Sequence, residues 1–433
     1  MPEPAKVALA VATLSPLASV LVLGLRVLGH QRYPSESTAS RVIGGGLVLS
    51  LLGSLATLGC FVGVLGESVR GDVVFGDWLR LHDFHIPAVL LVDGVSVTIS
   101  LFTATLTALV ARFSRTYLHK EPGFVRFFVL LGLFATGIQL VALAGALELF
   151  FAGWELIGIS SALFIAFFHE RDEPVRSSIR AFATYRISDA GLLIATVTTF
   201  ELLDSTRFSA LAGASALPAV ATTVIALLFL LSAMGKSAQL PFSGWLPRAM
   251  EGPTPSSALF YGAVSIHAGL FLLMRVWPIL EVSLVARTVG VAVGLSTAVY
   301  AASVARVHTD AKGALAHATL AQVGLILAEI CLGWQTLALT HLVCHALLRI
   351  GQYLKAPNML HDTHRMGHRH HPPTLLQRYA PQLARRVYAA SLHRLRLDDR
   401  IDAVFAPVLA LARMLDRADQ RLRGALSLDG RQS

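Results

Sequence analysis

The chain has 433 residues, of which 54% are hydrophobic and only 15% charged, and its formal net charge is +9. Soluble domains usually carry about 25% charged residues, so this composition excludes an ordinary soluble protein. Three isolated cysteines, Cys60, Cys331 and Cys344, lie in apolar runs, which predicts small buried side chains rather than a disulfide or a metal site. No cysteine-rich or glycine-rich nucleotide motif occurs, so we expect no cofactor and no metal.

Apolar stretches of about 20 residues recur along the chain, and each can cross roughly 30 Å of hydrocarbon. Backbone polar groups need partners inside lipid, so these stretches predict helices. We therefore expect an all-α polytopic membrane protein with broken helices among about eleven spans, the first retained rather than cleaved as a signal peptide. The predicted spans are 7–28, 42–66, 95–112, 127–146, 148–168, 187–203, 217–235, 254–275, 284–305, 313–333 and 336–354.

Lys and Arg concentrate in the loops after odd-numbered spans, whereas Asp and Glu concentrate in the loops after the second and sixth. The positive-inside rule then places the N-terminus outside and the tail in the cytoplasm of a cell inner (plasma) membrane. We expect three regions: N-terminal helices and a loop at 1–92, a membrane domain at 93–354, and a basic tail at 355–433.

The tail carries fourteen Lys or Arg against seven Asp, a charge suited to anionic lipid head groups or an acidic partner. Apolar residues at helical spacing between 401 and 415 predict an amphipathic helix that is too charged to span. A histidine-rich segment at 361–371 matches no strong metal motif, and a solvated basic loop is the preferred interpretation.

Ionisable residues inside predicted spans are costly, so they point to pairing, hydration or function. Glu155 is surrounded by apolar residues, which favours a functional carboxylate inside the membrane. The alternative interpretation is a carboxylate at a helix end that faces water. Lys236 lies between Gly235 and Pro241, which weaken a continuous helix and expose backbone polar groups. Loss of water favours the neutral form of an ammonium group, so a buried lysine can exchange a proton. The alternative for Lys236 is snorkelling from a helix end.

For four further ionisable residues, the sequence gives weaker evidence of a functional role. His267 lies in the eighth span, where a proton switch and a packing role are equally compatible. Arg349 sets a field but is a poor proton carrier, because arginine rarely loses its proton. Lys312 and Asp189 lie near predicted helix starts, where a loop or interface role competes. No Ser/His/Asp or Cys/His arrangement supports a hydrolase.

Three passages together resemble the proton-translocating membrane subunits of respiratory complex I, most closely the L type, which share a fold with Mrp-type antiporter subunits. The first passage is GWELIG at 153–158, followed by HER at 169–171 and YRISDAG at 185–191. The second, and most specific, is GKSAQLP at 235–241 with WLPRAMEGPTPSSAL at 245–259. The third is TDAK at 309–312 with His341, His345 and Ala346.

The resemblance implies that Glu155 is the modulating glutamate, Lys236 the lysine of a broken helix, and Lys312 a lysine on the path to a second half-channel. His267, His341, His345 and Arg349 then belong to the proton path. Arg186, Asp189, Pro241 and Pro253 are structural or interface positions. Protons would move through half-channels controlled by a buried Glu155–Lys236 pair, so the chain is at most a non-redox translocase subunit of an NADH-quinone oxidoreductase-like complex.

Two departures from the family are expected to matter. Arg349 stands where the second broken helix of the family carries a lysine, and the chain passes from Leu354 to a basic tail instead of further membrane helices. The leading hypothesis is a proton-conducting subunit beside other membrane subunits of a complex I-like assembly. The first alternative is the membrane partner of a soluble zinc-bearing, carbonic-anhydrase-like subunit in inorganic-carbon accumulation. The second is a membrane scaffold without transport, which Arg349 favours.

Overall fold

The computed structural model describes residues 3–30, 33–81, 84–308, 310–366 and 378–397, together with 399–400, 403, 406–407, 410–411, 414–415 and 417–421. The side chains at 30, 81, 84–85 and 357–366 lie outside that description. The chain divides into two compact units, Met1–His370 and His371–Ser433.

Long helices form most of the first unit, as the apolar spans predict. The long helices of the first unit are α1 Glu3–His30, α2 Glu36–Val62, α3 Gly94–Tyr117, α4 Phe124–Leu143, α5 Leu147–Ile165, α6 Asp172–Leu203, α7 Ala219–Lys236, α12 Leu284–Ala305, α13 Ala311–Leu332 and α14 Gln335–Met366. Shorter pieces between α7 and α12 are α8 Trp245–Arg248, α9 Thr254–Ser256, α10 Ala268–Arg275 and α11 Trp277–Val282. The all-α polytopic prediction is confirmed.

Nine helical segments of the described chain are long and apolar enough to cross a membrane. The two remaining predicted spans, 187–203 and 336–354, lie within α6 and α14, which are each 32 residues long and more polar. Because α6 begins at Asp172, Asp189 and Arg186 lie in the middle of a helix. The prediction that Asp189 lies near a helix start is therefore wrong, whereas Lys312 does lie in the first turn of α13.

A β-hairpin replaces the expected loop between the second and third spans. Strand β1 is Gly71–Leu81 and β2 is Phe84–Val92, paired antiparallel from Gly71 opposite Val92 to Leu81 opposite Phe84. β-branched and aromatic residues in these runs favour extended backbone. The hairpin bridges the short α4–α5 connection through Leu90 and Ala144, so it closes one end of the bundle.

The two ends of the bundle have different chemistry. We call the end that carries residues 71–92 the hairpin end. The opposite end contains an open crevice of about 470 Å³. Its charged and hydroxyl-bearing lining residues are Tyr117, Glu121, Arg171, Glu251, Thr254 and Lys312. We call this end the crevice end.

Two helices of the bundle are irregular. The helix α7 stops at Lys236, and the backbone turns through 237–241 before the short helix α8. Between α9 and α10 the chain winds as a π-helix over Ser257–Ala263 and then as a 3₁₀ turn over Ser265–His267. Arg349, by contrast, lies within the continuous helix α14, which runs without a break from Gln335 to Met366.

The second unit contains a described helix, α15, at Pro381–Leu392. The amphipathic helix predicted between 401 and 415 falls largely outside the described residues. The side chains of the histidine-rich segment 361–371 lie outside them as well. Of the cysteines, Cys60 and Cys331 are buried as expected, but Cys344 is exposed on the bundle surface.

A salt bridge at the hairpin end ties the start of α3 to the end of α10. Asp93 accepts a hydrogen bond from the Ser96 amide at 2.7 Å, and its carboxylate lies 2.6 Å from Nη1 of the buried Arg275. Burial disfavours the Asp93 carboxylate, but the hydrogen bond and charge of Arg275, helped by Ser96, outweigh it. The pKa of Asp93 therefore lies below its ordinary value.

We expect Asp93→Asn to lower the free energy of unfolding by about 1–3 kcal/mol, because Arg275 loses its charged partner while asparagine still caps α3. Since the folded-state pKa is lowered, the stabilisation from Asp93 is complete above the ordinary carboxyl range and lost as the pH falls through the lowered value. Thermal unfolding in detergent at several pH values measures both effects. Asp77→Asn, an exposed hairpin carboxylate, is the control, and equal melting temperatures for the two variants would contradict the assignment.

Candidate functional site

Lys236 lies inside the bundle at the break that ends α7. Its side chain is fully buried. The ammonium group donates a hydrogen bond to the Trp154 carbonyl oxygen at 3.0 Å and lies 4.8 Å from the ring centroids of both Trp154 and Tyr185. The C-terminal end of a helix carries partial negative charge, which also favours a cation there. Snorkelling from a helix end is therefore excluded.

Local sequence explains why α7 can end here. The last carbonyls of a helix need outside donors, and the indole of Trp245 donates to the Gly235 carbonyl oxygen at 3.0 Å. Gly235 also faces Ser188 of α6 at a distance that leaves no room for a Cβ atom. Gly235 therefore allows α6 and α7 to approach closely beside Lys236.

Glu155 forms its ion pair with Arg186 rather than with Lys236. The Nη2 atom of Arg186 lies 2.5 Å from Glu155 Oε2 and 2.8 Å from Asp189 Oδ2. The second carboxylate oxygen of Asp189 accepts a hydrogen bond from the Trp154 indole. Lys236 forms no ion pair with a carboxylate in the part of the chain that the structure describes. One guanidinium group thus holds two carboxylates beside the lysine.

These charges nevertheless act on Lys236. Asp189, Glu155 and Arg186 are its electrostatic neighbours, and Asp189 is the strongest of them. Trp154 connects the two groups, since its carbonyl binds the lysine and its indole binds Asp189. Interactions between charges are strong where water is excluded. A shift of Arg186 therefore changes the charge that Lys236 experiences.

A row of polar side chains runs from Tyr185 toward the irregular helix. Ser161 Oγ lies 3.3 Å from the Tyr185 hydroxyl and 3.2 Å from the Tyr261 hydroxyl, and Tyr261 belongs to the π-helical turn. Around the break, several buried side-chain oxygen atoms have no hydrogen-bond partner in the described chain: Ser237 Oγ, Gln239 Oε1, Ser243 Oγ, Ser257 Oγ and Ser265 Oγ. Buried polar atoms of this kind commonly bind ordered water.

His267, His345 and Arg349 form one continuous hydrogen-bonded group. Arg349 Nε donates to His345 Nε2 at 3.1 Å, and His345 Nδ1 lies 3.1 Å from His267 Nε2. His267 Nδ1 lies 2.8 Å from the Ala263 carbonyl oxygen. Because Arg349 is always a donor, neutral His345 carries its hydrogen on Nδ1 and donates to His267, which donates to Ala263. The hydrogen bonds of this group therefore all run in one direction, from Arg349 through His345 and His267 to the Ala263 carbonyl oxygen.

The other predicted residues occupy separate places. His341 lies one helical turn before His345, with ring centroids 6.3 Å apart. Lys312 lies half-buried in the crevice, with Asp310 and Glu251 as electrostatic neighbours. Pro241 ends the turn after Lys236, and Pro253 is the residue before α9, where it also lines the crevice.

Sequence reasoning missed Glu329 as well as the aromatic and hydroxyl groups around Lys236. Glu329 lies in α13 and contacts His341 at 2.9 Å. The signal was present, because Glu329 is an ionisable residue within the predicted span 313–333. Tyr185, Ser161 and Tyr261 gave no such signal, since uncharged polar residues are common in helices.

The fold and this site define a polytopic helical membrane protein with a lysine buried where a helix breaks. Residues 144–383 match the family described as NADH:quinone oxidoreductase/Mrp antiporter, and residues 78–128 match the chain 5 N-terminus of complex I. The chain belongs to the NADH:quinone oxidoreductase/Mrp antiporter family, which confirms the resemblance seen in the sequence.

The curated relatives that this chain matches are longer than it is. NAD(P)H-quinone oxidoreductase chain 5 of Picosynechococcus sp. is 30% identical over 80% of this chain and 53% of its own length. NADH-quinone oxidoreductase subunit L of Mycobacterium tuberculosis is 31% identical over 72% of this chain and 52% of its own. This chain therefore spans about half the length of these relatives.

Two solved structures share the fold. The Mrp complex from Dietzia sp. matches 87% of this chain and 39% of its own with a TM-score of 0.67 and 24% identity. The archaeal membrane-bound sulfane sulfur reductase matches 80% of this chain and 70% of its own with a TM-score of 0.64 and 20% identity. At such identities the likeness establishes the fold.

We expect Arg186→Gln to destabilise the protein by about 1–3 kcal/mol, because Glu155 and Asp189 then repel each other without a shared cation. The loss is smaller than for a fully buried ion pair, since the Arg186 side chain is 38% exposed. Adding Asp189→Asn should recover part of the loss, which thermal unfolding of both variants measures. Arg176→Gln, which removes an exposed pair on the same helix, should change little. Additive effects of the two site substitutions would contradict the bridging role.

Proposed function

We propose that this chain is a proton-translocating membrane subunit of a complex I-like assembly, in which Lys236 is alternately protonated and neutral. The observation that supports this function is the position of Lys236, fully buried at a helix break with a carbonyl and two aromatic faces around its ammonium group. Carbonyl and ring faces stabilise the cation moderately, without the permanent partner that would fix its charge. Such a group can accept and release a proton.

The Glu155–Arg186–Asp189 cluster supplies the control. When Arg186 holds both carboxylates, their charge on Lys236 is partly cancelled. When Arg186 moves away, the nearby negative charge favours protonated lysine. Glu155 therefore acts on Lys236 through Arg186, which refines the direct Glu155–Lys236 pair expected from the resemblance.

The same cluster faces sideways out of the bundle. The side chains of Glu155 and Arg186 are 19% and 38% exposed. Exposed apolar residues surround them on α5 and α6: Ile159, Leu163, Ile179, Phe182 and Ile187. A charged pair facing hydrocarbon is costly. We infer that a neighbouring membrane subunit covers this face and that its charges displace Arg186.

The polar groups beyond the lysine provide a path across the bundle. The hydroxyl groups of Ser161 and Tyr261 and the buried oxygens near the break lead from Lys236 toward His267 and His345. Lys312 in the crevice offers a contact with water at one face. Arg349 keeps its charge, so it biases the path without carrying the proton.

Membrane orientation follows from loop charge. We propose the hairpin end outside and the crevice end in the cytoplasm, in a cell inner membrane. Helix α15 presents Leu383, Val387 and Leu392 as exposed apolar groups beside Arg385 and Arg386. This combination suits a surface of anionic lipids, which we propose as the partner of the basic tail.

A second candidate is the membrane subunit of an inorganic-carbon accumulation system with a soluble zinc-bearing, carbonic-anhydrase-like partner. The basic tail supports this candidate, because its fourteen Lys or Arg against seven Asp would provide a docking surface for the soluble partner. Purification of the intact complex distinguishes the two: redox and quinone subunits support the first candidate, and one large soluble zinc protein supports the second.

We expect Lys236→Ala to lower proton transport by the reconstituted complex by at least about tenfold, since the central proton-binding group is lost. Dye-monitored proton flux in liposomes measures it. Lys355→Ala, an exposed lysine on α14, is the matched control. Normal flux from a well-expressed Lys236→Ala complex would eliminate the transport function and leave the scaffold interpretation.

We expect a photo-reactive crosslinker on Phe182→Cys to capture a membrane subunit of the native complex, because Phe182 lies on the exposed face beside Arg186. Mass spectrometry of the product identifies the partner. Val299→Cys on α12 is more exposed than Phe182 and serves as the comparison. If Phe182→Cys captures only lipid in the intact complex, the Glu155–Arg186 face is not a subunit interface.

A further inference from the structure

Thr297 is a hydroxyl-bearing residue of α12 to which the proposed function gives no role. It is fully buried and contacts the turn that follows Lys236. Thr297 Oγ1 lies 3.0 Å from the Leu240 amide nitrogen and 2.7 Å from the Val293 carbonyl oxygen. An amide only donates, so the hydroxyl oxygen accepts from Leu240 while its own proton is donated to Val293. Thr297 thus joins α12 to the helix break.

Leu240 is the residue of this turn whose amide depends on another long helix. The amides of residues 237–239 donate to carbonyl oxygens in the last turn of α7. The Leu240 amide comes next and finds its acceptor in Thr297, and Pro241 has no amide hydrogen. A backbone donor without an acceptor is costly inside a membrane domain. Thr297 therefore supplies the acceptor that allows the backbone to leave α7.

The turn contains strained backbone and unpaired oxygen atoms next to Lys236. Ala238 has a φ of 50°, a left-handed conformation that a residue with a Cβ atom keeps only where its surroundings hold it. Ser237 and Gln239 are fully buried, and Ser237 Oγ and Gln239 Oε1 have no hydrogen-bond partner in the described chain. Buried oxygens of this kind bind ordered water. The position of the turn therefore determines how such water reaches the lysine.

Thr297 is itself held in place because α12 and α13 pack closely. Gly294, one turn before Thr297, faces Gly324 of α13 at a distance that leaves no room for a Cβ atom on either residue. The first turn of α13 carries Lys312, which lines the crevice. The Thr297 hydroxyl therefore ties the helix break to the helix pair that carries Lys312.

We propose that Thr297 is a positioning residue for Lys236. By accepting the Leu240 amide, it holds the turn in the arrangement that leaves the Ser237 and Gln239 oxygens available to water beside the lysine. If the acceptor is lost, the freed amide turns toward another oxygen and the turn moves with it. Thr297 itself neither gains nor loses a proton in this role. The proposal rests on the proposed function, since it assumes proton transport through Lys236.

Packing between α12 and α13 is the competing role, and two substitutions separate the roles. Thr297→Val keeps the shape of the side chain but loses the acceptor, whereas Thr297→Ser keeps the acceptor and loses a methyl group. We expect Thr297→Val to lower proton flux through the reconstituted complex by at least about tenfold, because small displacements at a reactive group are costly. Thr297→Ser should retain most of the flux. Packing alone predicts the reverse order.

The matched control is Thr288→Val, because the Thr288 hydroxyl makes the same bond to a carbonyl oxygen four residues earlier, on the exposed side of α12. Its flux should equal that of the parent complex. Flux through Thr297→Val equal to that through Thr288→Val overturns the proposal, and so does a greater loss in Thr297→Ser than in Thr297→Val. Equal losses in both Thr297 variants with lowered melting temperatures also overturn it, in favour of packing.

The Lys236→Ala complex distinguishes failure of this proposal from failure of the proposed function. If Lys236→Ala stops transport while Thr297→Val does not, only the positioning role is wrong. If Lys236→Ala leaves transport intact, the proposed function itself fails.

Discussion

The structure depends on keeping one ammonium group inside the membrane layer without a fixed counter-ion. A fully paired lysine would be stable but permanently charged, and an isolated one would be too costly to keep protonated. The protein uses intermediate interactions: the Trp154 carbonyl, the faces of Trp154 and Tyr185, and the negative end of α7. Each is weaker than a carboxylate at contact distance. The charge of Lys236 can therefore respond to small changes nearby.

The helix break and the Arg186 bridge follow from the same constraint. A continuous helix at 236–241 would leave no free backbone groups and no room for polar side chains beside the lysine. The bridge keeps Glu155 and Asp189 close while preventing either from pairing with Lys236. Its partial exposure on the lateral face means that the charge balance can be altered from outside the chain.

Much of this could be predicted from sequence, because hydrophobic length and buried charge are local signals. The apolar runs predicted the spans, and the rule for ionisable residues found Glu155, Lys236, His267 and Arg349. The hairpin at 71–92 was missed because β-branched runs in a polar loop give weak evidence. The partner of Glu155 depends on the rotation of α6 against α5, which residue spacing does not determine. The start of α6 was predicted too late in the sequence because the first half of this helix is polar. Asp189 was therefore wrongly predicted to lie near a helix start.

Arg349 changes how the second half of the bundle can operate. A lysine there would exchange a proton itself, whereas an arginine acts only as a fixed charge. Its guanidinium orients His345 and, through it, His267, so the tautomers of both rings are determined by one residue.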